Sequence, residues 1–242
     1  MIRHKAWLAW SSGKDSAWAL WIALQNPELD VVGLLTTVTE AFGRVTMHGV
    51  REELVEAQAQ AVGLPLYRVF IPTPCPDELY EAAFERILNT AKDQGVTSFI
   101  FGDLFLGDLR AHRERQLARA GLVGLFPLWK QDTLSLAKAM IRSGLRACLT
   151  CIDPRKLPRE FCGAAFDESF LGNLPAGVDP CGENGEFHTF VWDGPMFDHP
   201  IPVCLGETVE RDGFLFRDVF PTPQDQPRSE NQSSNSGQAP AT

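Results

Sequence analysis

The sequence predicts an α/β protein, a doubly wound parallel sheet with helices on both faces, followed by a smaller C-terminal α+β unit. Three observations carry this expectation. Through roughly the first hundred residues, short apolar runs alternate with amphipathic runs, the pattern of a parallel sheet sandwiched by helices. The run Trp10-Ser11-Ser12-Gly13-Lys14-Asp15-Ser16 joins the first apolar stretch to the first helical one. Near Gly121 the texture changes, and a turn, a capped helical run and further strand-like runs follow.

Taken in order, the expected strands are Ala6–Trp10, Val31–Thr36, Leu66–Phe70 and Ser98–Gly102, with helices beginning near Asp15, Val50, Asp77 and Asp108. In open α/β sheets a ligand sits at the carboxyl ends of the strands, where the strand order reverses. That rule sets Ser11–Ser16, Thr36–Thr37 and Gly102–Asp103 along one rim. Beyond it, Phe126-Pro127-Leu128-Trp129 reads as a turn into a new unit, and Asp132–Ser143 as a helix capped by Asp132. Arg146–Ile152, Thr189–Asp193 and the Val203–Val219 region read as strands, with Arg211-Asp212-Gly213-Phe214 as a hairpin turn. The expected division is a nucleotide domain over 1–123, a substrate domain over 124–222 and a disordered tail over 223–242, rich in Pro, Gln, Ser and Asn. No internal repeat is visible.

Composition narrows the function. At 242 residues and 44% hydrophobic the chain can bury an ordinary core. A net charge of -9 supplies no positive field, which argues against nucleic acid as the main partner. No apolar stretch approaches the roughly 20 residues of a membrane helix, and the N-terminus carries no secretion signal, so the expected location is cytoplasmic. The six cysteines lack the dense spacing of a disulfide scaffold. Cys148 and Cys151 have no second close pair with which to build a zinc site, and buried strand thiols are the simpler reading.

The chemistry concentrates in the loop at Ser11–Ser16. Its backbone amides converge on a helix start, where unpaired N–H groups and the helix dipole favour an anion. Gly13 permits close approach, Ser11 and Ser16 add hydroxyls, and Lys14 adds a point charge. The loop is shorter than the Gly-x-x-x-x-Gly-Lys-Ser/Thr loop that wraps a triphosphate. A serine-capped turn needs no ligand at all. A lysine in the first helical turn, however, works against the dipole, which points to another task for Lys14.

Here the chain resembles the PP-loop ATP pyrophosphatases, whose loop reads Ser-Gly-Gly-Lys-Asp-Ser; Ser12 stands at the first Gly. Three further blocks, Met47–Leu54, Phe101–Arg110 and Asp179–Thr189, make it similar to the diphthine-ammonia ligase family from about Ala6 to Phe220. The most specific element is Cys181-Gly182-Glu183-Asn184-Gly185-Glu186. The resemblance implies an adenine nucleotide alpha hydrolase-like fold of the HUP/Rossmann type. It also implies that ATP and a carboxylate give an acyl-adenylate and pyrophosphate, which ammonia converts to an amide and AMP. In eukaryotic and archaeal members the acid is diphthine. Those members carry Gly-Ala-Ile-x-Ser-x-Tyr-Gln-Arg around Gly102 and Cys-Gly-Glu-Gly-Gly-Glu-Tyr-Glu-Thr in the last block. Asp103–Asp108, Asn184, Phe187 and His188 instead resemble a bacterial branch of unassigned substrate.

The expected roles follow. Lys14 and the amides of Ser11, Ser12, Gly13, Lys14, Asp15 and Ser16 bind the phosphates of ATP, with Thr36, Thr37, Gly102 and Asp103 completing the nucleotide site. Asp15 and Asp103 are the candidate Mg²⁺ ligands, since that ion favours one or two carboxylates plus phosphate oxygens. Glu183 or Glu186 binds ammonium or removes its excess proton. His48, Arg51, Arg110, Arg113, Asn184 and His188 are expected to meet the acid, although ion pairing with Glu52, Asp108 or Glu114 explains the cations nearly as well. Cys181 as a covalent nucleophile is disfavoured by its acidic neighbours. The partners are thus ATP, ammonium and an unidentified carboxylic acid, a modified protein side chain among the options. The oligomeric state stays open, a homo-oligomer included. Two other classes share the loop: a tRNA-thiolation enzyme using Cys148 and Cys151, and a non-catalytic ATP or AMP sensor.

Overall fold

A computed structural model describes residues 3–46 and 48–222 of the chain; the tail expected to be disordered lies outside them. The first strand, β1 (His4–Ala9), has a centre of Ala6, Trp7 and Leu8 that is fully buried, as a strand covered on both faces must be. It pairs in parallel with β2 (Leu29–Thr39) on one side and with β5 (Ser98–Ile100) on the other. β2 is long enough to hold two neighbours in succession. Its first part lies beside β1, and Leu34–Thr39 lies beside β4 (Leu66–Ile71), also in parallel. Both partners meet Leu34 and Leu35, so they occupy opposite edges of β2. β6 (Val123–Leu125) extends the sheet beyond β5. The parallel order is therefore β4-β2-β1-β5-β6, and the order reverses between β1 and β5.

The doubly wound sheet is thus present, with two additions. β3 (Arg44–Val45) pairs antiparallel with the end of β2, and β6 joins the far edge. Segments of two and three residues are too short to show periodicity, which is why the sequence does not reveal them. The helices α1 (Lys14–Leu24), α2 (Glu52–Val62), α3 (Asp77–Asp93) and α4 (Gly107–Arg119) start within two residues of their expected positions. No helix among the described residues is long and apolar enough to cross a membrane.

The second unit is a four-stranded antiparallel sheet in the order β8-β7-β10-β9, built from β7 (Arg146–Ile152), β8 (Phe187–Asp193), β9 (Val203–Arg211) and β10 (Phe214–Pro221). Asp212 and Gly213 both take positive φ, 50° and 78°, the mirror-image turn that matches strand twist in a two-residue hairpin. α5 (Thr133–Arg142) is capped as expected, Asp132 accepting from the Ser135 N–H at 2.9 Å; α6 (Glu168–Gly172) is capped likewise by Asp167.

Two apolar clusters hold these layers. One lies between the parallel sheet and α3 and α4, around Trp7, Phe84, Leu88, Phe99 and Leu117. The other runs without a break from the opposite face of that sheet through α1 and α2 into the antiparallel sheet, including Leu8, Leu20, Leu54, Met140, Leu149 and Phe190. α1 is apolar almost all round (Ala17, Trp18, Ala19, Leu20, Ala23), which suits a helix enclosed between two sheets rather than lying on a surface. That enclosure brings the loop before β8 over the N-terminus of α1.

Candidate active site

The turn between β1 and α1 is fixed by its own short side chains. Ser12 takes φ 72°, the left-handed conformation that reverses the chain ahead of the helix. The Ser11 and Ser16 hydroxyls lie 3.1 Å apart, Ser16 Oγ donates to the Gly13 carbonyl at 3.0 Å, and the Gly13 N–H reaches Ser11 Oγ at 3.4 Å. From the antiparallel sheet, Thr189 Oγ1 accepts from the Lys14 N–H at 3.0 Å, and the Val191 N–H donates to the Ser12 carbonyl. Buried Gln58 on α2 closes the arrangement. Its Nε2 donates to the carbonyls of Ser12 (3.1 Å) and Val191 (2.6 Å), and its Oε1 accepts from Trp10 Nε1 at 2.8 Å. Gly102 lets the end of β5 abut this helix start, because a Cβ there would fall 2.7 Å from the Asp15 carbonyl carbon.

Lys14 is 2% exposed, and its ammonium meets both Asp15 oxygens at 2.8 and 2.9 Å and the Cys181 carbonyl. Burial pulls the lysine pKa down, but Asp15, Cys181 and Glu183 outweigh it and hold the group protonated above its usual range. Asp15 is pushed up by burial despite Lys14. Glu183 is raised to about 7, first by burial and then by Asp15, with Lys14 opposing and Asp179 and Asp103 adding to the rise. Asp103 is likewise raised by burial, against the pull of Arg113, whose Nε lies 3.3 Å away; Asp103 Oδ2 has no hydrogen-bond donor. His48 and His188 lie with ring centroids 4.6 Å apart, and His48 Nδ1 is 3.3 Å from the Thr189 carbonyl oxygen. Burial first, and then the neighbouring positive charges, lower them to about 3 and about 4, so both rings are neutral at pH 7.

These groups border one cleft of about 670 Å³ at the reversal point. It gathers Ser11, Lys14, Asp15, Ser16, Thr37, His48, Gly102, Asp103, Arg113, Glu183 and His188 from segments spread over the whole described chain. Others among the expected residues are placed elsewhere. Thr36 points to the opposite face of β2 from Thr37, buried with its hydroxyl unpaired, because strand side chains alternate. Ser12 and Gly13 shape the loop from behind it. Arg51 is taken by Asp218 on β10, and Arg110 by Glu114 at 2.8 Å with its guanidinium over Phe126 and Trp129. Glu186 is buried inside its own loop, accepting from the N–H groups of Asp179 and Asn184 and from Asn184 Nδ2. Of the two glutamates in the block, Glu183 alone faces the cleft; Glu186 and Asn184 hold the turn that presents it.

Sequence reasoning passes over Gln58, Thr189 and the Cys181 carbonyl. Gln58 was findable, since the Leu54, Val55, Ala59, Ala61 stripe of α2 turns it inward among apolar residues. It also passes over Tyr80, Phe84, Leu106 and Leu109, apolar side chains that line the same cleft. Cys148 and Cys151 are buried in β7 outside the cleft, and burial pushes each thiol up to about 12. Cys181 is also pushed to about 12 by burial. Among the described residues no group of three or more His, Cys, Asp or Glu could hold a metal ion by itself; Asp15 and Asp103 are two carboxylates on one cleft.

Fold and cleft together define an α/β protein with a lysine-bearing strand-to-helix loop at the switch point of its sheet. Residues 4–123 match the family model of the diphthamide synthase N-terminal domain, and residues 132–216 that of its C-terminal domain. The chain is 31% identical over 175 residues to a protein of Danio rerio named diphthine–ammonia ligase, covering 66% of this chain and 69% of the relative. To the Homo sapiens protein of that name it is 28% identical over 180 residues, covering 68% and 67%. To that of Saccharomyces cerevisiae it is 27% identical over 232 residues, covering 78% of this chain and 33% of the longer relative. The chain belongs to the diphthamide synthase family and is an enzyme of the ligase class.

Proposed function

We propose that the protein is an ATP-dependent, AMP- and pyrophosphate-forming amide ligase that adenylates a carboxylate and passes ammonia to it. The observation that carries this reading is the convergence of Lys14 at a helix N-terminus and Glu183 from the other sheet on one cleft. In the first step a carboxylate oxygen attacks the α-phosphorus and pyrophosphate leaves. Lys14, Ser11 and Ser16 face the charge that gathers on the phosphates. In the second step ammonia attacks the acyl carbon, AMP leaves, and Glu183 takes the excess proton from nitrogen. A carboxylate raised to about 7 is suited to that exchange near neutral pH.

Asp15 and Asp103 would hold Mg²⁺ in exchange for their present partners: Asp103 Oδ2, buried without a hydrogen bond, lies 3.3 Å from Arg113 Nε, and both Asp15 oxygens meet Lys14, while the ion needs only one or two carboxylates beside phosphate oxygens. Bound there, the ion would supply charge neutralisation for the departing pyrophosphate. Residues 1–123 supply the nucleotide half, with Thr37 and Gly102 beside the loop, and 124–222 supply Glu183. His48, His188 and Arg113 are assigned to the acid. The relatives' name makes diphthine the first acid to test, with other small-molecule or protein-borne carboxylates after it. The reaction is placed in the cytoplasm, with free ammonium as the nitrogen donor.

The test is incubation with ATP, Mg²⁺, ¹⁵N-ammonium and candidate acids, including elongation factor 2 carrying diphthine. AMP and pyrophosphate in equal amounts, with ¹⁵N in the product amide, are expected; ADP and phosphate would overturn the mechanism. Lys14→Ala is expected to lower AMP formation at least about 100-fold, the scale of losing a preorganised charge donor. An unaffected rate would remove the loop from the reaction.

A further inference from the structure

Asp218, on β10, is the one carboxylate among the described residues that receives two arginines from the parallel-sheet unit. Arg44 Nη1 lies at 3.0 Å from Oδ1, Arg51 Nε at 3.1 Å from the same oxygen, and Arg51 Nη2 at 2.7 Å from Oδ2. The two arginines are the feet of one connection. Arg44 is in β3 and Arg51 caps α2, and they form an isolated antiparallel bridge with each other. His48 stands between them, at the cleft.

Several contacts seat this strap on the antiparallel sheet and close it on itself. Gly49, at φ 67°, lies so close to β10 that a Cβ would come 3.0 Å from the Phe216 ring. The Val45 N–H donates to the Val50 carbonyl at 2.8 Å, and Arg44 Nη1 to the Gly49 carbonyl at 2.6 Å. At the apex the His48 ring packs on His188 and meets the Thr189 carbonyl, while Thr150 Oγ1 on β7 reaches the His48 carbonyl at 3.4 Å. Val45 and Val50 anchor the base of the strap in the apolar core and β3 pairs with β2, and the Asp218 ion pairs add a polar closure against the second sheet. A segment that loses one of its closures opens more often.

We propose that Asp218 is a positioning residue, a carboxylate of the second sheet that clamps both ends of the Arg44–Arg51 strap and thereby holds His48 at the cleft. It touches neither nucleotide nor acid and acts through His48. The inference rests on the reading of this cleft as the ligase site only in giving His48 a ligand to meet; the clamp itself is a property of the free protein.

The test compares Asp218→Asn and Asp218→Glu with the unaltered full chain by hydrogen exchange, thermal unfolding and NMR of ¹⁵N- and ¹³C-histidine-labelled protein. In Asp218→Asn, exchange across 44–51 is expected to rise about tenfold or more, and the cross-peak between the His48 and His188 rings to disappear. Asp218→Glu is expected to recover both. If Asp218→Asn fails to fold, Arg51→Gln removes half of the clamp at a more exposed side chain and should show the same changes to a lesser degree. Unchanged exchange in the strap with the ring contact intact would overturn the proposal, as would loosening spread evenly over β9 and β10. None of these readouts depends on AMP formation, so failure of the ligase reading would be seen separately.

Discussion

Ser12 shows how a single side chain can work against its own loop. It occupies a left-handed conformation, which costs a non-glycine residue about 1–2 kcal/mol, and its buried hydroxyl has no partner. Ser12→Gly removes both penalties at the expense of some unfolded-chain entropy. A net gain of about 1 kcal/mol is expected, read as a rise of roughly 2–4 °C in thermal midpoint; a fall would mean that the serine is needed. Glu183 offers a second test at this scale. Its base form is populated only above about pH 7, so the rate of ammonia transfer should climb through neutrality as pH rises. Glu183→Gln should flatten that limb and lower the rate about 100-fold or more, as loss of a general base does; a pH profile that keeps the limb would reassign it.

At the scale of elements, the chain leaving β5 abuts the start of α1. A methyl group on Gly102 has no space before the Asp15 backbone. Gly102→Ala must therefore push the helix N-terminus away, at an overpacking cost of about 1–3 kcal/mol. Calorimetric titration with ATP and Mg²⁺ should show binding weakened at least about tenfold while circular dichroism retains the fold. Undiminished affinity would show that the phosphates lie elsewhere. The loop from Asp179 to Glu186 is the complementary element. Asp179 accepts from the N–H groups of Cys181 and Glu183, and Glu186 closes the turn from inside, so its acids divide between holding the loop and facing the cleft.

For the molecule as a whole, pH acts through the groups that the two sheets enclose together. His48 and His188 are depressed to about 3 and about 4 in the folded state, below the 6.5 of an exposed imidazole. As pH falls below about 6.5 the unfolded chain takes up these protons first, so stability is lost progressively down to the folded values. Glu183 acts in the opposite sense. Its folded pKa is raised from 4.5 to about 7, so the folded state holds the extra proton and stability declines as pH rises through that interval. Asp15 and Asp103, also raised by burial, act in the same sense as Glu183, so the imidazoles and the carboxylates oppose each other over this interval. His188→Gln removes one of the imidazoles, so the variant is expected to gain stability relative to the unaltered chain as pH falls from 7 to 5. Denaturant titrations of both proteins at the two pH values measure it, and an unchanged difference between them would contradict the enclosed, neutral pair.

The sequence alone determined the parallel sheet, its order of strand and helix, the hairpin at Asp212–Gly213 and the loop at Ser11–Ser16. Each of these is written in local periodicity, capping or turn chemistry, which neighbouring residues settle among themselves. Tertiary structure decided what such signals do not encode. It sent Thr36 to the far face of β2, spent Arg51 on Asp218 and Arg110 on Glu114, and enclosed Glu186 in its own turn while leaving Glu183 at the cleft. A cation or a carboxylate near a strand end carries the same local pattern whether it meets a ligand or an ion-pair partner 167 residues away, as Arg51 meets Asp218. Only the packing of one sheet on the other, driven by the continuous apolar core through α1, chooses between them.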